Sequence, residues 1–254
     1  FHSAQATLLF QEGFNYSSGG LGGNVNPGST VAWTGNNNIT VDTVDPLLTY
    51  SGLNNISANN LSVIWGVSAG TALNSPAYTS VTSGQIYYSF LLDMTALPTS
   101  STYLTALNPA VTNPGGSGDN LDIYIGSTGG LQMRSKGTYT TSTTLSLNTT
   151  YLVVMEYDFT ANVSSLYVDP SSSSFGLSAP TATAAVTPGG TISSFGDVGF
   201  KAQTGSTAGS FLINNVLIGT TWADVTPAAV PEPSTLALAG LGLLGWAARV
   251  RRGK

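Results

Sequence analysis

Apolar and polar positions alternate along most of this chain with a period of two. The pattern comes in short runs bounded by Gly, Pro, Asn and Ser clusters. In LDIYI, Leu121, Ile123 and Ile125 share one face, while Asp122 and Tyr124 share the other. In YLVVMEYDF both faces begin apolar, then Glu156 and Asp158 appear on one of them. The first pattern predicts a half-buried strand and the second a more central one. Runs of this kind predict strands at Leu8–Phe10, Ser29–Trp33, Asn38–Val41, Asn60–Trp65, Gln85–Met94, Thr102–Leu107, Leu121–Ile125, Leu131–Ser135, Tyr151–Phe159, Ser164–Val168, Ser194–Lys201 and Phe211–Ile218. No internal segment sustains a 3.6-residue apolar period, and there is no convincing internal repeat. VTNPGGSGD and VDPSSSSFGLSAP read as surface loops. So many strands with turns between them predict an all-β protein, a sandwich or a barrel.

After Trp222 the texture changes. TPAAVPEPS carries three prolines and reads as an extended linker, since proline suits neither a helix interior nor an inner strand. Thr235–Ala248 is then an unbroken uncharged run of 14 residues, closed by Arg249. A bilayer span wants about 20 residues, so length alone favours a buried or interfacial helix. However, the run is apolar all round rather than on one stripe. Ala239, Gly240, Gly242 and Gly245 are small residues that membrane helices tolerate, and Trp246 and the arginines can reach the headgroups.

Charge sharpens the division. Only 7% of the 254 residues are charged, while 41% are hydrophobic, so a core can form without a charged surface. Before Val230 the cations are Arg134, Lys136 and Lys201, against eleven carboxylates. After it come Arg249, Arg251, Arg252 and Lys254, against Glu232. The acidic body excludes nucleic acid as a partner, since phosphate binding needs clustered Lys and Arg. The basic end beside an apolar run has the arrangement of a membrane stop, which leaves RVRRGK in the cytoplasm. Cysteine is absent, which excludes disulfides, thiolate metal sites and thiol catalysis. At the other end, Ala4-Gln5-Ala6 fits the small-x-small pattern before a signal-peptidase cut, so residues 1–6 read as a signal-peptide remnant.

Val230-Pro231-Glu232-Pro233-Ser234, then a Gly/Leu/Ala run, then Arg-x-Arg-Arg at the chain end, resembles the PEP-CTERM sorting signal of Gram-negative bacteria. The resemblance rests on three ordered parts within the last 25 residues. It implies recognition by a membrane-embedded exosortase, with Pro231, Glu232 and Pro233 as the sorting motif and Arg249, Arg251 and Arg252 as the membrane stop. It further implies an inner-membrane intermediate, then a cell-surface or extracellular destination, often alongside exopolysaccharide. The body, in EGFNYSSGGLGG, YLVVMEYDFTANVSSLYVDP and INNVLIGTTWADV, is similar to LamG/concanavalin A-like jelly rolls. The expected fold is therefore a two-sheet antiparallel jelly-roll sandwich followed by a short C-terminal transmembrane helix. The expected divisions are residues 1–6 signal-peptide remnant, 7–226 β-sandwich, 227–234 Pro-rich linker with the PEP motif, 235–248 transmembrane segment and 249–254 basic cytoplasmic tail.

The same fold serves laminarinase-type glycosidases, which resemble one another in a Glu-x-Asp-x-(x)-Glu strand. Glu156-Tyr157-Asp158 supplies the first two positions, but Phe159, Thr160 and Ala161 follow, so the second glutamate is missing. Retaining chemistry needs two carboxyls about 5–5.5 Å apart. A solvated strand end accounts for Glu156 and Asp158, and no catalytic residue is expected. His2 is the only histidine and lies in the signal remnant, so neither a Ser-His-Asp triad nor a histidine metal site is expected. Calcium is the metal whose oxygen ligands this chain could offer, at Asp119, Asn120 and Asp122 or at Asp42 and Asp45. Neither set has an EF-hand spacing, and turn chemistry accounts for them equally well, so no metal cofactor is expected. Trp33, Trp65, Tyr87, Tyr88, Tyr103, Tyr124 and Tyr139 could serve as platforms for polysaccharide, or could pack in the sandwich. Tyr87 and Tyr88 fall on opposite faces, so one of them at most is expected in the core. Trp222 is expected to pin the last strand. Asn-x-Ser/Thr sequons at Asn38, Asn55, Asn60, Asn148 and Asn162 read as by-products of a polar surface. The functional expectation is an exported, non-catalytic structural or adhesive surface protein, with a glycan-active enzyme as the alternative.

Overall fold

The β-branched and aromatic runs pair into two sheets, antiparallel throughout. The computed structural model describes residues 7–26, 32–35, 39–65, 71–74, 78–109, 121–202 and 208–229. One sheet runs, edge to edge, β14 (Ala184–Val186), β13 (Val163–Val168), β12 (Thr150–Asp158), β7 (Gln85–Ala96), β16 (Gly209–Gly219), β5 (Asn60–Trp65), β4 (Ile39–Asp42) and β2 (Gly19–Gly20). β1 (Leu8–Glu12) also pairs with β16. The other sheet runs β11 (Thr138–Thr144), β10 (Gly130–Ser135), β9 (Leu121–Ile125), β8 (Thr102–Asn108), β15 (Asp197–Ala202), β6 (Thr71–Asn74) and β3 (Thr34–Gly35). A 3-10 turn at Ser172–Ser174 and α1 (Trp222–Val225) complete the described elements. β11 reads TYTTSTT, an edge strand with no apolar alternation, which is why its sequence does not announce it.

The INNV phrase exchanges one strand partner for another. Gly209–Ile213 of β16 pair with β5, whereas Val216–Gly219 pair with β1. Between them Asn215 takes a left-handed backbone (φ 51°), a conformation that asparagine tolerates better than most residues. Its N–H donates to Ser57 Oγ (2.6 Å), and its Oδ1 accepts from the Ile56 N–H (2.9 Å), so the bulge is held from the adjoining loop.

Two apolar layers result. Between the sheets lie Tyr88, Phe90, Ile123, Met133, Met155, Tyr157 and Phe200, among others. The outer face of the nine-stranded sheet carries a second layer. Tyr87, Leu91, Leu152, Val154 and Tyr167 sit there beneath Leu48, Leu53, Phe175, Trp222 and Val225. Each such side chain contributes about 1.5–3 kcal/mol of transfer free energy when fully buried. This corrects the expectation for the tyrosine pair. Tyr87 and Tyr88 do point to opposite faces, yet both are buried, because loops roof the outer face.

The roof is closed from the C-terminal side. Thr221 and Asp224 form a capping box that starts α1. Trp222 packs edge-on to Tyr87 and Tyr167 and donates from Nε1 to the Ser174 carbonyl (3.0 Å). The chain then runs across the roof. Gly176 N–H donates to the Thr226 carbonyl, Asn54 N–H to Pro227, and Ala229 N–H to Gly52, each at 2.8 Å. Among the described residues no helix is long and apolar enough to cross a membrane. The expected span 235–248 lies outside the described residues, as do the remnant 1–6 with His2, Pro231, Glu232, Pro233, Arg249, Arg251, Arg252, Asp119 and Asn120.

Candidate functional site

The roof leaves the outward face of the seven-stranded sheet as the second large surface of the sandwich. Alternation selects its side chains. Leu121, Ile123 and Ile125 of β9 enter the core, so Asp122 and Tyr124 point outward; Leu131 and Met133 of β10 enter it, so Gln132 and Arg134 point outward. Register then places Arg134 opposite Asp122 on one side and Tyr139 on the other. Its Nε donates to Asp122 Oδ2 (2.6 Å), and its Nη2 pairs with the same oxygen. The guanidinium lies 5.2 Å from the centre of the Tyr124 ring and 5.9 Å from that of Tyr139. Tyr124 also meets Tyr103 edge-on at 5.6 Å. Three tyrosines from three strands and one charge-neutral ion pair therefore form a continuous cluster, in which Tyr103 and Asp122 are buried. Tyr139 is its outermost member, 55% exposed.

Deeper on the same sheet lie two buried carboxyls. Burial pushes Asp122 up to about 7, with Arg134 opposing the rise. Burial likewise pushes Asp197 up to about 8, opposed only by the Asn108 Nδ2 donor at 2.9 Å. Asp122 Oδ1, Asp197 Oδ2 and Asn108 Oδ1 are buried without a hydrogen-bond partner. Asp122 faces Ala106, which faces Gly199, and Asp197 lies two residues along β15. Strand spacing then puts the two aspartate Cα atoms about 12 Å apart. Alternation in the sequence places Arg134 and Asp122 outward, but only strand register makes them partners. Nothing in the sequence joins Asp197 to Asn108 across 89 residues.

The other candidates are structural. Glu156 accepts from Gln85 Nε2 (3.0 Å), Tyr87 Oη (3.1 Å) and Tyr167 Oη (2.5 Å). Asp158 accepts from Gln85 and from the Thr160 and Ala161 N–H groups, closing the β12–β13 turn. Trp33 is buried against Phe10 and Phe200, and Tyr88 bonds Thr105 in the core. Trp65 ends β5, with its side chain outside the description. Of the calcium candidates, Asp122 takes a guanidinium as its partner, and Asp42 accepts from the Val44 and Asp45 N–H groups in a turn. Among the described residues no group of three or more His, Asp or Glu could hold a metal. Of the sequons, Asn38 lies outside the described residues and Asn148 is exposed, while Asn55, Asn60 and Asn162 use their side chains in internal hydrogen bonds.

A family model described as the PEP-CTERM protein-sorting motif matches residues 229–252. That segment begins at Ala229, whose N–H donates to the Gly52 carbonyl in the roof. No curated protein matches the sequence. Among solved structures, the chain is similar to a sialidase at 12% identity and TM-score 0.52, over 87% of this chain and 19% of that one. It is similar to an uncharacterized protein from Mycobacterium paratuberculosis at 11% identity and TM-score 0.51, over 82% of this chain and 99% of that one. A glycosyl hydrolase family 16 protein from Mycobacterium smegmatis aligns at 12% identity and TM-score 0.47, over 84% of this chain and 100% of that one. The chain thus spans about a fifth of the sialidase's length. At these identities the likeness is one of fold, a jelly-roll β-sandwich.

Proposed function

We propose that this is an exported bacterial surface protein, sorted by an exosortase through its C-terminal PEP-CTERM signal. Its sandwich serves a non-catalytic structural or adhesive role. The observation that carries the reading is the sorting motif at residues 229–252, set immediately after the folded β structure. In this reading Pro231, Glu232 and Pro233 are recognised by the exosortase and residues 235–248 hold the chain in the inner membrane. Arg249, Arg251 and Arg252 stop it at the cytoplasmic face. The destination is the cell surface or extracellular matrix. The non-catalytic assignment is supported by Glu156, whose carboxylate is saturated by two tyrosines and a glutamine under a loop roof. Asp122 and Asp197 have raised pKa values of the kind found at catalytic sites. Asp122 is engaged by the Arg134 guanidinium, and Asp197 accepts from Asn108. The adhesive role falls to Tyr124 and Tyr139, whose accessible rings beside the neutral ion pair suit an extracellular polysaccharide.

The sorting assignment is tested with Glu232→Ala in an exosortase-bearing host. Surface delivery should fall to the level seen in an exosortase-deleted strain, with the variant accumulating in the inner membrane. Unchanged surface delivery of Glu232→Ala would reject it.

A further inference from the structure

The loop roof covers only part of the outer face of the nine-stranded sheet. Phe90, Leu92 and Met94 of β7 enter the core, so Asp93 and Thr95 continue outward along the row that holds Tyr87 and Leu91. Register sets Asp93 between Thr150 of β12 and Leu212 of β16. Beside them lies a cleft of about 320 Å³, walled by residues 45–49 and by Asn148. Two buried asparagines fix the wall. Asn214 donates to Asn60 Oδ1 (2.8 Å), and Asn60 donates to the Pro46 carbonyl (2.9 Å) and accepts from the Leu48 N–H (3.1 Å). The cleft is therefore preformed, which lowers the cost of ordering it on binding.

The lining specifies a ligand. At about 30 Å³ per water the cleft holds roughly ten waters, far more than a bare ion occupies and enough for a small molecule. Two carboxylates line it, Asp45 exposed and Asp93 partly buried, and no cation does. Asp93 Oδ1 is buried without a hydrogen-bond partner. Burial raises the Asp93 pKa, the Thr149 N–H opposes the rise, and repulsion from Asp45 adds to it. The three cations among the described residues act elsewhere: Arg134 on Asp122, Lys136 on the Thr191 carbonyl and Lys201 on Asp122. An incoming positive charge is thus unopposed. Thr49, Thr95, Thr150 and Asn148 add groups that both donate and accept. Pro46, Leu47 and Leu212 add aliphatic surface. A lysine side chain would use the carboxylates and the aliphatic wall but leave the threonines and Asn148 unmatched. A sugar ring that carries an ammonium matches all three: its N–H groups the carboxylates, its hydroxyls the polar wall, its C–H face the leucines.

We infer that this cleft binds a protonated amino sugar, a 2-amino-2-deoxyhexose unit of a deacetylated glycan, with Asp45 and Asp93 holding the ammonium. This deepens the adhesive reading, on which it rests for an extracellular glycan as partner, and adds a second site on the sheet face opposite Tyr139. The full chain, held in polyoxyethylene-ether micelles, is titrated calorimetrically with a glucosamine tetramer, its fully N-acetylated counterpart and the peptide Gly-Lys-Gly, at a pH that keeps the amines charged. The amino tetramer should bind at least about ten-fold more tightly than the acetylated one. Asp45→Asn and Asp93→Asn should each weaken it several-fold; Asp45 is exposed, so its variant reads binding with the fold intact. Thr150→Lys, which supplies an ammonium of its own, should abolish binding, and Tyr139→Ala should leave it unchanged. Equal affinity for the two tetramers, or parental affinity in both aspartate variants, would overturn the site. Loss of binding in Tyr139→Ala would move the amino glycan to the tyrosine cluster and overturn the cleft. Binding of the lysine peptide as tight as that of the amino tetramer would assign the cleft to a protein's basic side chain and overturn the sugar. A failure of neutral glucan to bind through Tyr139 would sink the adhesive face there and leave this cleft standing.

Discussion

Glu12 shows how much one side chain can organise. It is buried, and its carboxylate accepts from the Phe14 N–H (2.6 Å), Tyr16 Oη (2.7 Å), Asn26 Nδ2 (2.8 Å) and Trp33 Nε1 (3.0 Å). Four donors satisfy the charge and tie β1 to the loops that follow it, which explains the EGFNY phrase as architecture. Asp197 is the opposite case, a buried carboxyl with one donor and one unpartnered oxygen. Its raised folded pKa means that the native state holds a proton which the unfolded chain releases above its ordinary value. Stability should therefore fall as pH rises from about 4 to about 8, by up to about 1.4 kcal/mol per unit for this one group. Asp197→Asn should flatten that slope and raise the melting temperature at pH 8, measured by thermal scans across the range. An unchanged slope would show that the carboxyl is charged and solvated.

At the scale of elements, the informative unit is the strap Thr226–Ala229. It contributes three backbone hydrogen bonds to the roof, with Gly176, Asn54 and Gly52. A chain ending after Ala229 should match the longer protein in urea stability. One ending after Val225 should lose about 3 kcal/mol, at roughly 1 kcal/mol per bond. Equal stability of the two truncations would mean the strap adds nothing. The alternating strands β7, β9, β12 and β16 are legible in the sequence because each buries at least one face. β11 and β14 are short or polar edges, held by neighbours that local pattern does not reveal.

For the whole molecule, the two outer faces have different fates. One is roofed by loops, while the other carries Tyr124, Tyr139 and the Arg134–Asp122 pair. If the second face holds a neutral polysaccharide, Tyr139→Ala should weaken binding by about 1 kcal/mol, roughly five-fold. Affinity electrophoresis against neutral glucans reads this, and the melting temperature should fall only slightly, because the half-exposed ring gives up only its contacts with Arg134 and Tyr124. Equal retardation of variant and parent would remove Tyr139 from the site.

The sequence by itself determined the all-β character and the sorting signal. Both are local: a period of two follows from the pleat, and the signal is an ordered string of residues within 25 positions of the chain end. Alternation also settled that Tyr87 opposes Tyr88 and that Asp122 and Tyr124 face away from Leu121 and Ile123. Only the tertiary structure decided what covers each face. The roof over Tyr87, the pairing of Arg134 with Asp122 and the partnering of Asp197 with Asn108 depend on strand order and register between distant segments. Those are set by loop packing and long-range pairing, for which a linear pattern of apolar and polar residues carries no coordinate.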